Sequence, residues 1–341
     1  MEADVDRNHD LPMTVLRWGI IGPGRIALRL VRGIAADPRG DLVAVASRDA
    51  ARAAAFATTH GIDRSYGAYD DLLADPAVDV VYIALPNHLH APWAIRALEA
   101  CKHVLCEMPL ALRPEDVDAI IAASEASGRV AVEAFMYLHH PQIARAVELA
   151  RSGAIGRLEL VTGTFSFTLD HPDDPRAEPS MGGGSLWDVG CYPVSLARRV
   201  AGEEPEALAA LARFDPRGVD RTFLGQMRFP GGLFAQFDSG FAAPDRQRAE
   251  IVGSDATLIL DAPFLPEPDG PIPSLTMWRG REATPVAVTS VDQYALEVAD
   301  LSAVVLDGRI PHLTLASSRG NVATLAALDR LAREGAGLPI G

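Results

Sequence analysis

The chain has 341 residues, 48% of them hydrophobic and 22% charged, with a formal net charge of −14. That length exceeds what one hydrophobic core ordinarily holds, so two domains are expected. The negative balance argues against a nucleic-acid backbone or an anionic membrane surface as partner, because both require clustered cations.

Three cysteines are too few to form a disulfide framework in a chain this long and suit a reducing cytoplasm; Cys101, Cys106 and Cys191 read as small core residues. Residues 1–14 mix charged and polar types without an apolar run, so they read as a disordered tail rather than a signal peptide. No later stretch approaches the ~20 apolar residues that a bilayer crossing needs. Lys102 is the only lysine.

From Leu16 onward, short apolar runs alternate with helical periodicity. Strands are expected at residues 16–21, 42–46, 78–85, 103–106 and 130–134, and helices at 25–36, 50–59, 88–100 and 114–127. Apolar strands separated by helices form a parallel sheet covered on both faces, so residues 15–135 read as a doubly wound domain.

Beyond residue 136 the pattern changes. A helix at 141–151 and a long strand at 158–169 lead to the loop Met181-Gly182-Gly183-Gly184-Ser185 and a helix at 188–200. Strands at 208–214, 222–229, 233–241, 247–252, 257–260 and 275–278 then follow one another through turns such as Pro230-Gly231-Gly232, which argues for a mostly antiparallel sheet. Helices at 292–306 and 314–334 close the chain. The fold class is α/β, with a C-terminal α+β domain at 136–341 built on a large open sheet.

The turn Gly22-Pro23-Gly24-Arg25-Ile26-Ala27 follows the first strand and opens the first helix, the context of a dinucleotide-binding Rossmann fingerprint. Gly22 permits the tight turn, Gly24 lets the backbone approach a pyrophosphate, and Ala27 lets helix and strand pack closely. The helix N-terminus, at Arg25 and Ile26, offers N–H groups to the phosphates. The second strand ends at Ser47-Arg48, where an NAD enzyme would place an acid on the ribose. A hydroxyl and a guanidinium suit the 2′-phosphate of NADP instead, with NAD as the alternative if the pair only caps the next helix.

The segments Ala84-Leu85-Pro86-Asn87-His88-Leu89-His90, His103-Val104-Leu105-Cys106-Glu107-Met108-Pro109, Glu133-Ala134-Phe135-Met136-Tyr137 and Gly183-Gly184-Ser185-Leu186-Trp187-Asp188-Val189-Gly190-Cys191-Tyr192 occur in this order. In them the chain resembles the Gfo/Idh/MocA oxidoreductases, the group of glucose-fructose oxidoreductase, inositol dehydrogenase and dimeric dihydrodiol dehydrogenase. The resemblance implies a substrate cleft between the two domains and a C-terminal sheet that forms homodimers. It implies that Leu85, Pro86, Asn87, His90 and Glu107 border the cofactor. Tyr137 and His140 would join Asp188 and Tyr192 at the substrate, Asp188 orienting it and Tyr192 transferring the alcohol proton.

Two family cations are missing. Met108 stands where relatives carry the catalytic lysine of Glu-Lys-Pro, and Leu138 stands where they often carry arginine. Methionine acts only by packing. Asp188 and Tyr192, spaced i, i+4, would share one helix face, and a phenol with a reference pKa near ~10 is a poor base without a nearby cation. No convergent metal-ligand set is apparent. The expected function is hydride transfer between NADP(H) and a hydroxyl or carbonyl carbon of a sugar, cyclitol or dihydrodiol. The alternatives are a redox-neutral enzyme with tightly held cofactor and a catalytically silent NADP-binding scaffold.

Overall fold

The computed structural model describes residues 14–171, 173–266 and 274–335, so the expected tail lies, apart from Thr14, outside the described residues. Strands β1 (Leu16–Ile21), β2 (Gly40–Ala46), β3 (Arg64–Tyr66), β4 (Val80–Ile83), β5 (His103–Glu107) and β6 (Ala131–Ala134) form one sheet in the order β3-β2-β1-β4-β5-β6. Every pair is parallel. The connections carry α1 (Ala27–Ala36), α2 (Ala50–His60), α3 (Tyr69–Leu73), α4 (His90–Glu99) and α5 (Pro114–Ser127). Strand order reverses between β1 and β4, and ligands of open α/β sheets bind at the carboxyl ends of strands beside such a switch. The sequence pattern gives no sign of β3 and α3: Arg64-Ser65-Tyr66 is too short and polar to show a period.

A second sheet has eight strands in the order β14-β13-β12-β11-β7-β10-β9-β8. They are β7 (Leu158–Thr168), β8 (Ala207–Phe214), β9 (Asp220–Arg228), β10 (Phe234–Gly240), β11 (Ala242–Gly253), β12 (Thr257–Asp261), β13 (Ser274–Arg279) and β14 (Glu282–Val286). Six pairs are antiparallel, as expected. The pair β7 and β10 is parallel. The chain leaves β7 through α7 (Cys191–Ala201), lays down β8 to β10 as a meander, and returns to the edge of β7. Along β9, Phe223, Gly225 and Met227 are buried and Leu224, Gln226 and Arg228 exposed, so one face of the sheet is covered and the other is open.

The two parts interlock. Right-handed crossovers put α1 and α2 on one face of the first sheet and α4 and α5 on the other, which leaves half of the first face bare above β4 to β6. Helix α8 (Gln293–Asp307) fills that space, with Val298 and Leu301 buried against Trp18, Tyr82, Leu105 and Val132. Gly33 of α1 makes the approach close enough that a Cβ there would lie 2.9 Å from the Tyr294 carbonyl. Helix α9 (Leu315–Glu334) packs on α5 and β8. One cysteine departs from expectation: Cys106 and Cys191 are buried, but Cys101 is exposed beyond the end of α4. Among the described residues no helix is long and apolar enough to cross a membrane.

Candidate active site

The cofactor turn sits at the carboxyl ends of β1 and β4. Gly22 has φ +92°, and a Cβ there would lie 2.4 Å from the Ala84 carbonyl at the end of β4, so only glycine fits. Gly24, by contrast, has nothing within 4 Å of its would-be Cβ, so its bare Cα faces open space. No side chain caps α1 at Ile26, and Ala27 is fully buried under the helix. An uncapped N-terminus over an open glycine cradle fits a dinucleotide pyrophosphate.

At the end of β2, the Ser47 hydroxyl accepts the Asp49 N–H at 3.2 Å, and it is Asp49 that caps α2 by accepting the Arg52 N–H at 3.1 Å. Arg48 itself is exposed. Arg52, a further residue at this edge, donates to the Pro23 carbonyl at 2.9 Å and ties α2 to the cofactor turn. Its only signal in the sequence is the four-residue step from Arg48, one helical turn on.

Beyond β4, Leu85 and Pro86 lead into a 3₁₀ turn at Asn87–Leu89. His90 is buried, with Nε2 2.7 Å from the Leu85 carbonyl and Nδ1 2.8 Å from the Pro109 carbonyl, so it pins the ends of β4 and β5 together. The Asn87 amide donates to the Gly182 carbonyl at 3.0 Å and thus reaches into the glycine-rich loop of the second part. Glu107, half-buried at the end of β5, accepts a hydrogen bond from Tyr82. Burial, joined by the carboxylates of Glu133 and Asp188, pushes it up to about 7 against the opposing Tyr82 and Met108 hydrogen bonds. Met108 is 9% exposed and offers no charge.

The regular helix expected from Asp188 is replaced by a π-turn over Leu186–Gly190 that runs into α7. Asp220, buried at the start of β9, accepts the Ser185 hydroxyl at 2.7 Å and the Leu186 N–H at 2.8 Å and so fixes the entrance to this turn. Gly184, at φ +131°, is the only residue type that fits against that carboxylate, since a Cβ would lie 2.1 Å from Asp220 Oδ1. One extra residue in the turn re-aims the side chains it carries. The Asp188 side chain stays 24% exposed, 3.8 Å from Arg176. Burial raises it to about 6, with Arg176 opposing and Asp174 adding to the shift.

Tyr192 is 5% exposed in an aromatic cage of Phe135, Tyr137, Phe165 and Phe264, with ring centroids 4.9–5.5 Å away. Its hydroxyl donates to the Met136 sulfur at 3.8 Å. Tyr137 is fully buried beside it and donates to the Tyr192 carbonyl at 3.5 Å. His140 lies at the start of the helix that follows. It is 1% exposed, and its Nδ1 accepts the Gln142 N–H at 3.2 Å to cap α6 (Pro141–Arg151), because Pro141 opens that helix directly behind it.

This arrangement coincides with known proteins along nearly its whole length. Residues 16–135 match the Gfo/Idh/MocA family of oxidoreductases with an NAD-binding Rossmann fold, and residues 143–259 match the Gfo/Idh/MocA C-terminal domain. The chain is 39% identical over 330 residues to an uncharacterized oxidoreductase of Rhizobium meliloti, covering 95% of this chain and 98% of that one. It is 35% identical over 326 residues to a D-xylose 1-dehydrogenase (NADP(+)) of Haloferax volcanii, covering 95% and 100%. Among solved structures it is similar to KijD10, a 3-ketoreductase of Actinomadura kijaniata in complex with NADP and TDP-benzene, with a TM-score of 0.87, 30% identity and 92% and 97% coverage. With both domain models matched in order and a glycine cradle that fits a dinucleotide, the chain belongs to the Gfo/Idh/MocA oxidoreductases.

Proposed function

We propose that this oxidoreductase uses NADP(H) to interconvert a hydroxyl and a carbonyl group on a neutral sugar-like substrate, a cyclitol or dihydrodiol being the nearest variants, with the carbonyl-reducing step drawing its proton from Tyr192. The observation that carries the reading is the open Gly22–Ala27 cradle together with Asp188 on the turn held by Asp220 and Tyr192 in the helix that follows it. When bound, the dinucleotide supplies the two-electron donor or acceptor. Gly22, Gly24, Arg25, Ile26 and Ala27 would hold its pyrophosphate, with Leu85, Pro86, Asn87 and Glu107 beside its nicotinamide end and His90 bracing that edge. Asp188 would accept a hydrogen bond from a substrate hydroxyl, and Tyr192 would give its proton to the carbonyl oxygen. Aldoses and their ketone or lactone counterparts, assayed with NADP and NADPH, test this; no turnover in either direction would overturn it.

Cofactor choice rests on Ser47 and Arg48. A buried hydroxyl beside an exposed guanidinium forms a phosphate site rather than a diol site, and Arg52 stands one turn away. Arg48→Ala is expected to weaken NADPH binding by about 10- to 100-fold, as for one lost charge-assisted contact, and to leave NADH binding unchanged. Fluorescence titration with both cofactors checks this; equal losses for the two would refute the assignment.

The open face of the eight-stranded sheet carries Leu211, Leu224 and Phe234 at 56%, 49% and 54% exposure. A second copy of the chain would cover it. Light scattering is expected to give a dimer, and Phe234→Asp a monomer. A reducing cytoplasm suits the three free thiols.

A further inference from the structure

Met108 and Leu138 bring no positive charge to the site. The loop ahead of the π-turn brings one. Arg176 lies 5.1 Å above the Phe167 ring and is held by Asp174 through Nε–Oδ1 at 2.9 Å and Nη2–Oδ2 at 2.8 Å. Its remaining nitrogen, Nη1, is 3.8 Å from Asp188 Oδ2. The pair is 34% and 24% exposed, so it stands at an open wall rather than in the core. Arg25 of the cofactor turn is close enough to Asp174 to help hold that carboxylate ionised, which sets the cluster beside the dinucleotide cradle.

We propose that Arg176 is the cation of this active site: stacked on Phe167 and clamped by Asp174, it positions Asp188 and keeps it charged toward the substrate. This rests on the oxidoreductase reading given above. Arg176 acts through Asp188 and is a positioning residue. Its side chain is separable from the fold of the loop, because the main-chain bond from the Gly184 N–H to the Arg176 carbonyl, 3.0 Å, survives any substitution at 176. Among the described residues the groups facing Asp188 are Arg176 and Asp174 from this loop, Glu107 from the end of β5, and Cys191 and Tyr192 at the start of α7. Arg176 is the only cation among them. Removing it leaves burial and Asp174 unopposed, so the Asp188 carboxyl must take up its proton at higher pH.

The test compares Arg176→Met and Arg176→Gln, which remove the charge, with Arg176→Lys, which keeps it. Carboxyl titration by ¹³C NMR, with Asp188 assigned through Asp188→Asn, reads the effect without any turnover. Both neutral variants are expected to move the Asp188 titration up by about 1 pH unit or more, and the lysine variant to stay nearer the wild type. In active enzyme the acidic limb of kcat/KM moves with it, and KM for the sugar rises while KM for NADPH does not. An unmoved Asp188 titration in both neutral variants overturns the proposal. Absence of turnover in the wild type would instead count against the oxidoreductase reading, because the titration is judged independently.

Discussion

Replacing Tyr192 with phenylalanine is expected to lower kcat by about 10²- to 10⁴-fold, the range that a positioned proton donor contributes, while leaving NADPH affinity and the fold intact. The ring is kept in its cage of Phe135, Tyr137, Phe165 and Phe264, and the hydroxyl loses only a weak bond to the Met136 sulfur. Burial, with Cys191, Tyr294, Glu107 and Asp188 adding to it, pushes the phenol well above its ordinary range, so it remains protonated through neutral pH. A protonated phenol can give a proton to a carbonyl oxygen but cannot accept one from an alcohol. Reduction is therefore expected to be nearly flat from pH 7 to pH 9, and oxidation to rise by about tenfold per unit, because only the deprotonated form serves it. Steady-state rates in both directions across that range check this. Wild-type activity in the Tyr192→Phe variant would remove the residue from the mechanism.

The first sheet, β3 apart, was legible because its evidence is local: short apolar strands, helical periods and a glycine turn that must precede a helix. The second was legible as a series of strands but not in its order, since the parallel seam of β7 against β10 depends on where the chain returns after three strands. The site divides along the same line. Gly22 and Gly24 announce themselves because each answers a steric demand within a few residues. Asp220 and Arg176 do not. Asp220 meets Ser185 across 35 residues, and Arg176 reaches Asp188 over an irregular loop whose path no periodicity encodes. The π-turn was hidden for a related reason: its sequence has the apolar spacing of an ordinary helix, and the bonds to Asp220 that open it are tertiary. The cap that His140 gives α6 is local, by contrast, but a histidine before Pro141 carries no capping signature of the Ser, Thr, Asp or Asn kind.

Met108→Lys is the substitution with the largest expected gain. The side chain at 108 follows Glu107 directly and is nearly buried, and burial raises the carboxyls of both Glu107 and Asp188, with Asp188 adding to the shift of Glu107. An ammonium placed there would favour the charged form of both acids and lower the Tyr192 pKa, since an opposite charge within ~4–6 Å stabilises an anion. The rate is expected to rise by about 10²-fold, the lower end of the range for a proton-transfer group, because Arg176 already supports Asp188. The acidic limb of kcat/KM should shift to lower pH in the same variant, and the alkaline rise of oxidation should level off at lower pH. By reciprocity the gain must appear in both directions at any one pH, because a substitution cannot change the equilibrium of the reaction. A rate unchanged in both directions, from a variant that still binds NADPH, would mean that the substrate wall itself has diverged, and that the methionine belongs to a cleft shaped for a different use of the same cofactor.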